Sequence, residues 1–450
     1  MAVAGLVGLL AGCSTPSAPP VPTTSATHAP TSAGRSTGVA SPSDGRPSST
    51  GVAGNPDRIR ADDRLLNRLA TALGDQDSTA FGALITDRDP KFTGTARMIF
   101  ANLGRLSPTV LQLRATGRTA ALGRQRRALL GPGAYAAEVQ LRWQVPGDRA
   151  PSDQTVWMTF TPDKRTGAGD DTGTGLRWAG VTDAPGGHRP TPIWWLEPIR
   201  VDHDQHATVI GGPGVELTSW LGRADRAARD VSVQFASAPD GPWRRWNGRL
   251  VVIIPSSENR LEQLLGVKKG TEAALAAISW PDGSQTAAAP IRIMINSGNL
   301  QPDLGARIVL THEAVHVATA SPTSAAPTWL IEGFADYVAY RDYPDAQQAA
   351  ARALLQRVSD SGAPRQLPTD RDFTGSAEDL DLVYAQSWLA CRYLARRYGS
   401  DALFAFYAAV NRSASGQIDA AARTAFGIDQ DQLVAGWRNY LSAAARRRQL

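Results

Sequence analysis

The sequence predicts an α+β protein of two folded domains behind a polar tether, and three observations carry that prediction. The chain has 450 residues, too many for one ordinary core. Its apolar fraction of 42% and charged fraction of 20% are those of a globular protein. Its hydrophobic periodicity changes along the chain, from helix to alternating strand in the first half, then from alternating strand and helix to continuous helix beyond Ala346.

Residues 1–13, "MAVAGLVGLLAGC", form an apolar run too short to span a bilayer. The ending Leu10-Ala11-Gly12-Cys13 resembles the lipobox of bacterial lipoproteins, in which the cysteine is the point of cleavage and acylation. That resemblance implies a signal peptide, a lipid on Cys13 and residence at the extracytoplasmic face of the cell membrane. Residues 14–55 are Ser, Thr, Pro, Gly and Ala with almost no large apolar side chain, so they cannot bury a core and read as a disordered tether. Cys13 and Cys391 are the two cysteines; with lipid on Cys13 no disulfide forms, and Cys391 in "QSWLACRYLA" reads as a core thiol. Net charge is +5, yet acids and bases alternate. The runs "GRQRRALL" and "AARRRQL" read as solvated helix faces, which argues against nucleic-acid binding.

The first domain, residues 56–185, opens with "DDRLLNRLATALGDQDSTAFGALI", where Leu65, Leu66, Leu69 and Leu73 recur at helical spacing. A second helical piece lies around Ala96 to Leu103. Extended runs follow, "VLQLRATG", "AYAAEVQLRWQVPG", "QTVWMTFTPD" and "GLRWAGVTD", with alternation such as Val139, Leu141, Trp143 and Val145. Helices followed by a curled antiparallel sheet resemble the NTF2-like cone, a fold that serves enzymes, ligand binders and adaptors; no acid and base residues stand at opposed positions in these strands, so the module reads as structural or substrate-presenting. The second domain, residues 192–450, alternates "ATVIGGP", "VELTSWLGRADRAARDVSVQF", "GRLVVIIPSS", "NRLEQLLGV" and "APIRIMINSG" as strand, helix, strand, helix and strand. Helices with apolar stripes follow, among them "DLDLVYAQSWLACRYLARRYG" and "DQLVAGWRNYLSAAARRR". A mixed sheet lobe followed by a helical lobe predicts a cleft between them.

At that boundary stands "IVLTHEAVHVATA". Residues four apart on a helix share a face, so His312 and His316 can place two imidazole nitrogens on one ion. Glu313 is rotated by about 100° from His312, which sets its carboxylate beside the ion as a base for activated water. A catalytic zinc needs a third protein ligand and an open position. "PTWLIEGFADYVAY" offers Glu332, sixteen residues after His316, far enough on to begin a second helix. Asp336, on the same face, can accept the outer N–H of a ligating histidine. Gly333 is small enough to let the two helices approach. "DHDQH", with His203 and His206, is the other close pair, but nothing around it supplies a supporting shell, so it reads as an exposed connector.

HEAVH followed by Trp329-Leu330-Ile331-Glu332-Gly333-Phe334-Ala335-Asp336-Tyr337 resembles the gluzincin metallopeptidases, in particular the peptidase MA-like group with its W-x-x-E-G-x-A-x-Y signature. The resemblance implies one zinc per chain on His312, His316 and Glu332, Glu313 as general base, and Asp336 as the supporting carboxylate. It also implies an oxyanion role for Tyr384, for which a buried core tyrosine is an equal account. The strand in "IRIMINSG" would be the edge that pairs with extended peptide substrate. No G-x-M-E-N-like motif precedes it, which favours endopeptidase or another exopeptidase activity over aminopeptidase activity. Two other readings stay open: a non-catalytic, zinc-stabilised adaptor binding cell-envelope protein or glycan, and a hydrolase of non-peptide amides. The intact Glu313 weighs against the adaptor, since a structural zinc has no use for a base.

Overall fold

Each helix at the start of the chain begins where a polar side chain can take the first free amides. A computed structural model of the protein describes residues 55–163, 175–186, 188–270, 275–283, 289–300, 304–374, 377–413 and 417–450; Cys13 and almost all of the tether lie outside these. Asn55 caps α1 (Pro56–Gly74), Asp77 caps α2 (Ser78–Ala83) and Asp89 caps α3 (Pro90–Leu106), with proline first in α1 and α3. The expected single helical run is therefore two helices, because Asp77 accepts from the amides of Thr79 and Ala80 and starts a new one.

The strands β1 (Val110–Ala121), β2 (Tyr135–Gln144), β3 (Ser152–Pro162) and β4 (Leu176–Gly180) form an antiparallel sheet in that order, with helix α4 (Arg124–Leu130) between the first two. β1 slips register between Ala115 and Thr119, where Gly117 takes φ 84° under Ile59 of α1, so the strand bends over the helix. The basic run in α4 is not wholly solvated. Arg126 reaches back to Asp89 (2.6 Å) and Asp183 (2.9 Å), tying α4 to the start of α3 and to the segment after β4.

The second sheet joins β5 (Arg200–His203), β6 (Ala207–Gly211), β7 (Leu250–Ile254), β8 (Ala277–Pro281) and β9 (Ile291–Ile295) in the order β5-β6-β7-β9-β8. The inner pairs β6–β7 and β7–β9 are parallel, and both outer strands run antiparallel to their neighbours. The strand in "IRIMINSG" is thus β9, inside the sheet, and not the expected edge; that place belongs to β8. "AISWP" escapes sequence reading because it is only five residues long and shows no alternation between buried and exposed positions.

Helix α5 (Ile193–Leu196) joins the sheets, α6 (Leu217–Ala236) links β6 to β7, and α7 (Glu258–Leu265) follows β7. Alternate residues of the sheet divide two cores. Val252, Ile254, Ile293 and Ile295 face α6 and the helical half. Val251, Ile253 and Met294 face α7 and join Leu65, Val139 and Trp143 of the first sheet's core. The sheet thus shares one core with the domain before it. Asn102 of α3 seals the linker: its amide donates to the carbonyls of Trp194 (3.0 Å) and Glu197 (2.7 Å) and accepts from Ile199 N (3.1 Å).

Fully buried Arg292 of β9 makes the second tie. It lies over the Trp143 ring at 4.0 Å, forks onto Asp148 (2.6 and 3.1 Å) and bonds Asp282. Asp282 also bonds Gln154 and, through its carbonyl, Ser152 of β3 at 2.9 Å. Removing one member strands buried charge, so Arg292→Met should cost about 3–5 kcal/mol in urea unfolding, and replacing Arg292, Asp148 and Asp282 together by apolar residues should recover most of it.

Asp62 of α1, 1% exposed, accepts a hydrogen bond from Tyr135 Oη, and burial pushes its pKa up from 3.8 to about 6. A raised folded pKa favours folding below the unfolded value and loses that advantage as pH rises through 6. Asp62→Asn should therefore be more stable than wild type at pH 8, by about 2 kcal/mol, with the gain fading toward pH 4 in melts across pH.

Candidate metal centre

The helix that carries the two close histidines, α8 (Leu304–Thr319), is apolar nearly all round and runs through the core between α6, the outer strand β8 and its successor. It stops at Ala320, which takes a left-handed φ of 53°, and a short 3₁₀ turn, Ser321–Thr323, follows. Pro327 then starts α9 (Thr328–Ala339), whose first amide and hydroxyl are both held by Asp370 Oδ1, at 3.0 and 2.8 Å. Almost every residue of α9 is buried, including Glu332 at 0% and Asp336 at 1% exposure.

The helical half is completed by α10 (Pro344–Ser361), α11 (Ala377–Tyr398), α12 (Ser400–Arg412), α13 (Ile418–Phe426) and α14 (Gln430–Arg447). α11 presses α9 toward α8. A Cβ at Gly333 would stand 2.3 Å from the Ser387 carbonyl of α11. The close approach that Gly333 permits is therefore with α11 and not, as the sequence suggested, with the histidine helix. The effect on the site is the same, because α9 is pressed between the two.

The three candidate ligand atoms form a nearly equilateral triangle. His312 Nε2 and His316 Nε2 are 2.9 Å apart, and Glu332 Oε2 lies 3.2 and 3.3 Å from them. A tetrahedral zinc at its usual bond lengths spaces such atoms by about 3.3 Å, so the set fits that ion. The hydrogen bonding points the same way. Asp336 Oδ1 is 2.8 Å from His312 Nδ1, and Ser321 Oγ is 2.8 Å from His316 Nδ1. Each ring's outer nitrogen is thereby engaged, so the two Nε2 atoms converge in a buried space where a shared proton or a bound cation relieves their repulsion. Glu332 Oε1 is buried without a hydrogen-bond partner, as expected of a carboxylate whose counter-charge is an ion.

The carboxylates divide the charge. Burial pushes Glu332 up, but the His316 charge and the hydrogen bonds of both histidines outweigh it and hold its pKa at about 2. Asp336 is raised by burial, against the pull of His312. Glu313, one step round α8 from His312, is 0% exposed, and its backbone carbonyl accepts from Ser279 Oγ of β8 at 3.1 Å.

Tyr384 of α11 is 6% exposed, sets its ring edge-on to Phe373, and lines a small cavity with Asp336, Tyr340 and Asp381. It stands on the Asp336 side of the site. His203 and His206 are not brought together as ligands: they flank the turn between β5 and β6, and His206 Nδ1 bonds Asp225 of α6 at 2.9 Å. "DHDQH" is thus a hairpin fastened to a helix within the second sheet. Cys391 is fully buried, and burial pushes its thiol pKa well up.

Sequence reasoning missed Ser321 and Tyr407. Ser321, five residues beyond His316, carries no periodic signal and arrives only because the helix ends in a left-handed residue. Tyr407 of α12 is fully buried, stacks on Phe334 of α9 at 4.1 Å, and is raised by burial and by the Glu332 charge. An apolar stripe gives no hint of that neighbour.

Residues 268–443 match the family model of the peptidase MA superfamily. The match takes in β8, β9, α8, α9 and most of the helical half, and leaves the first sheet outside. Among solved structures the chain is similar to a mutant of a two-domain M1 zinc metallopeptidase bound to L-tryptophan, at 16% identity over 73% of this chain and 61% of that one, with TM-score 0.34. It is also similar to a mutant M1 zinc metallopeptidase from Deinococcus radiodurans bound to a Tyr-Ser-Ala substrate, at 16% identity over 74% and 61%, with TM-score 0.31. The chain thus covers less than two thirds of either structure's length. No curated protein matches the sequence.

If the triangle holds the metal, Glu332→Ala should abolish stoichiometric zinc binding in chelator competition, and His203→Ala should not. Asp336→Ala and Ser321→Ala should each weaken it by about 10–100-fold, the usual effect of removing an outer partner of a ligating histidine.

Proposed function

We propose that this protein is a zinc-dependent metallopeptidase of gluzincin type, fastened to the extracytoplasmic face of the cell membrane through a lipid on Cys13 and acting on peptide or protein substrates, including those of the cell envelope. The observation that carries the reading is the buried triangle of His312, His316 and Glu332 with Glu313 on the same helix, inside the segment that matches the peptidase MA superfamily. Among the described residues no helix is long and apolar enough to cross a membrane.

One zinc per chain, when bound, supplies a Lewis acid and an acidified water. The chain's residues do the rest. His312, His316 and Glu332 hold the ion, while Asp336 and Ser321 keep both rings turned with Nε2 inward. Glu313 takes a proton on its carboxylate during attack and returns it to the leaving amide nitrogen. Complete burial of Glu313 and Glu332 keeps bulk water from competing for those protons. Tyr384 is assigned to the developing oxyanion. The outer strand β8, tied to α8 through Ser279, is the strand on which an extended substrate would pair. The first domain, 56–185, is read as an NTF2-like module that supports or presents substrate.

Purified protein should carry about one zinc per chain and cleave a quenched peptide library, and Glu313→Gln should keep the zinc while losing at least about 10³-fold in kcat. Full zinc occupancy with no cleavage of any peptide would overturn the peptidase reading in favour of a metal-stabilised adaptor. Tyr384→Phe should lower kcat about 10–100-fold with zinc content and KM unchanged; a loss of stability instead would return that residue to the core.

A further inference from the structure

A groove of about 770 Å³ opens on the other side of the second sheet, between the first domain and α7. α8 packs on the face that presents Val252, Ile254 and Ile293. α7 packs on the opposite face, with Val251, Ile253 and Met294. The sheet therefore separates this groove from the metal centre.

Glu262 of α7 lines the groove and is 2% exposed. Its Oε1 accepts the Gly270 amide, while its Oε2 is buried with no partner. The other acids around it are satisfied. Asp89 and Asp183 share Arg126, and Glu197 accepts from the Ser256 amide at 2.9 Å and from its hydroxyl. Arg260, two residues earlier on α7, points to Gln263 Oε1 (2.8 Å) and toward Glu197 (3.8 Å), so it does not neutralise Glu262. A carboxylate oxygen buried without a donor is costly, and it marks a place where a donor arrives from outside the chain.

The mouth carries the opposite charge. Lys91 and Arg189 line the groove, neither with an ion pair among the described residues; the Arg189 guanidinium lies over the Trp157 ring at 5.9 Å, and exposed His188 stands beside them. Phe92 and Trp195 form apolar wall between the two ends. A simple cation would be repelled at this mouth, and a simple anion would be repelled at Glu262. A zwitterion meets both.

We infer that this groove binds a small zwitterion, an amino acid or short peptide with free ends. Its ammonium donates to Glu262 Oε2, and its carboxylate lies between Lys91 and Arg189. The ligand touches α3 and α7 together and so clamps the two domains. The inference is independent of the chemistry at the metal centre.

Calorimetric titration of the zinc-loaded protein with tri-L-alanine is the test, alongside its N-acetyl and C-amide forms. Saturable binding with Kd at or below about 1 mM is expected. N-acetylation and Glu262→Gln should each weaken it at least about tenfold, the usual effect of losing a charge-assisted hydrogen bond. Because Glu262→Gln also alters a buried site, the exposed pair Lys91→Ala with Arg189→Ala provides a second check: it should weaken tri-L-alanine and leave the C-amide form unaffected. Absence of saturable binding would overturn the inference. So would binding that survives Glu262→Gln but disappears in His312→Ala, which would place the peptide at the metal centre.

Discussion

Two carboxylates and two imidazoles lie together at under 5% exposure, and most of the helical half can be understood as the apparatus that keeps them there. Taking each charge out of water costs several kcal/mol, returned only where partners are placed with good geometry. α9 supplies both carboxylates on one face, one for each kind of contact: Glu332 toward the two Nε2 atoms and Asp336 toward Nδ1. That placement depends on Gly333 admitting α11 on the far side and on Asp370 holding the helix's first turn. A side chain at Gly333 would push α9 off α11, and a shift of even an ångström along α9 would move both carboxylates at once.

The site was more legible than the fold around it, for a physical reason. A site assembled on helices needs its side chains at spacings of three or four residues, and those spacings stand unchanged in the sequence, as the candidate ligands His312 and His316 show, and Glu332 with its supporting neighbour Asp336. Much of the order of helices and strands is also readable from periodicity, but β5, β8 and the break between α1 and α2 are not. What could not be read was adjacency across the sheet. Nothing local distinguishes β9 as an inner strand from β8 as an outer one, and "AISWP" is too short and too buried to alternate. Ser321 and Tyr407 were invisible likewise, since each reaches the site by a turn or a crossing rather than by spacing.

The boundary drawn by composition near residues 186–191 describes the chain better than the packing. Trp194 and Trp195 just beyond it belong to the core that begins with Leu65, and Met294 of β9 ends in that core too. Buried Arg292 shows the same thing in charges: its guanidinium is in the second sheet, while Trp143 and Asp148 come from the first domain. The first domain is therefore a structural part of the layer that supports the histidine helix.

Asn102 adds a mechanical consequence. One buried amide holds two carbonyls and an N–H of the linker, so turning one half of the molecule against the other would break three hydrogen bonds in the same instant, with no water at hand to replace them. Joints that swing are built from solvated backbone with interchangeable partners. This one is a weld, and any opening that admits a large substrate has to come from segments beyond it.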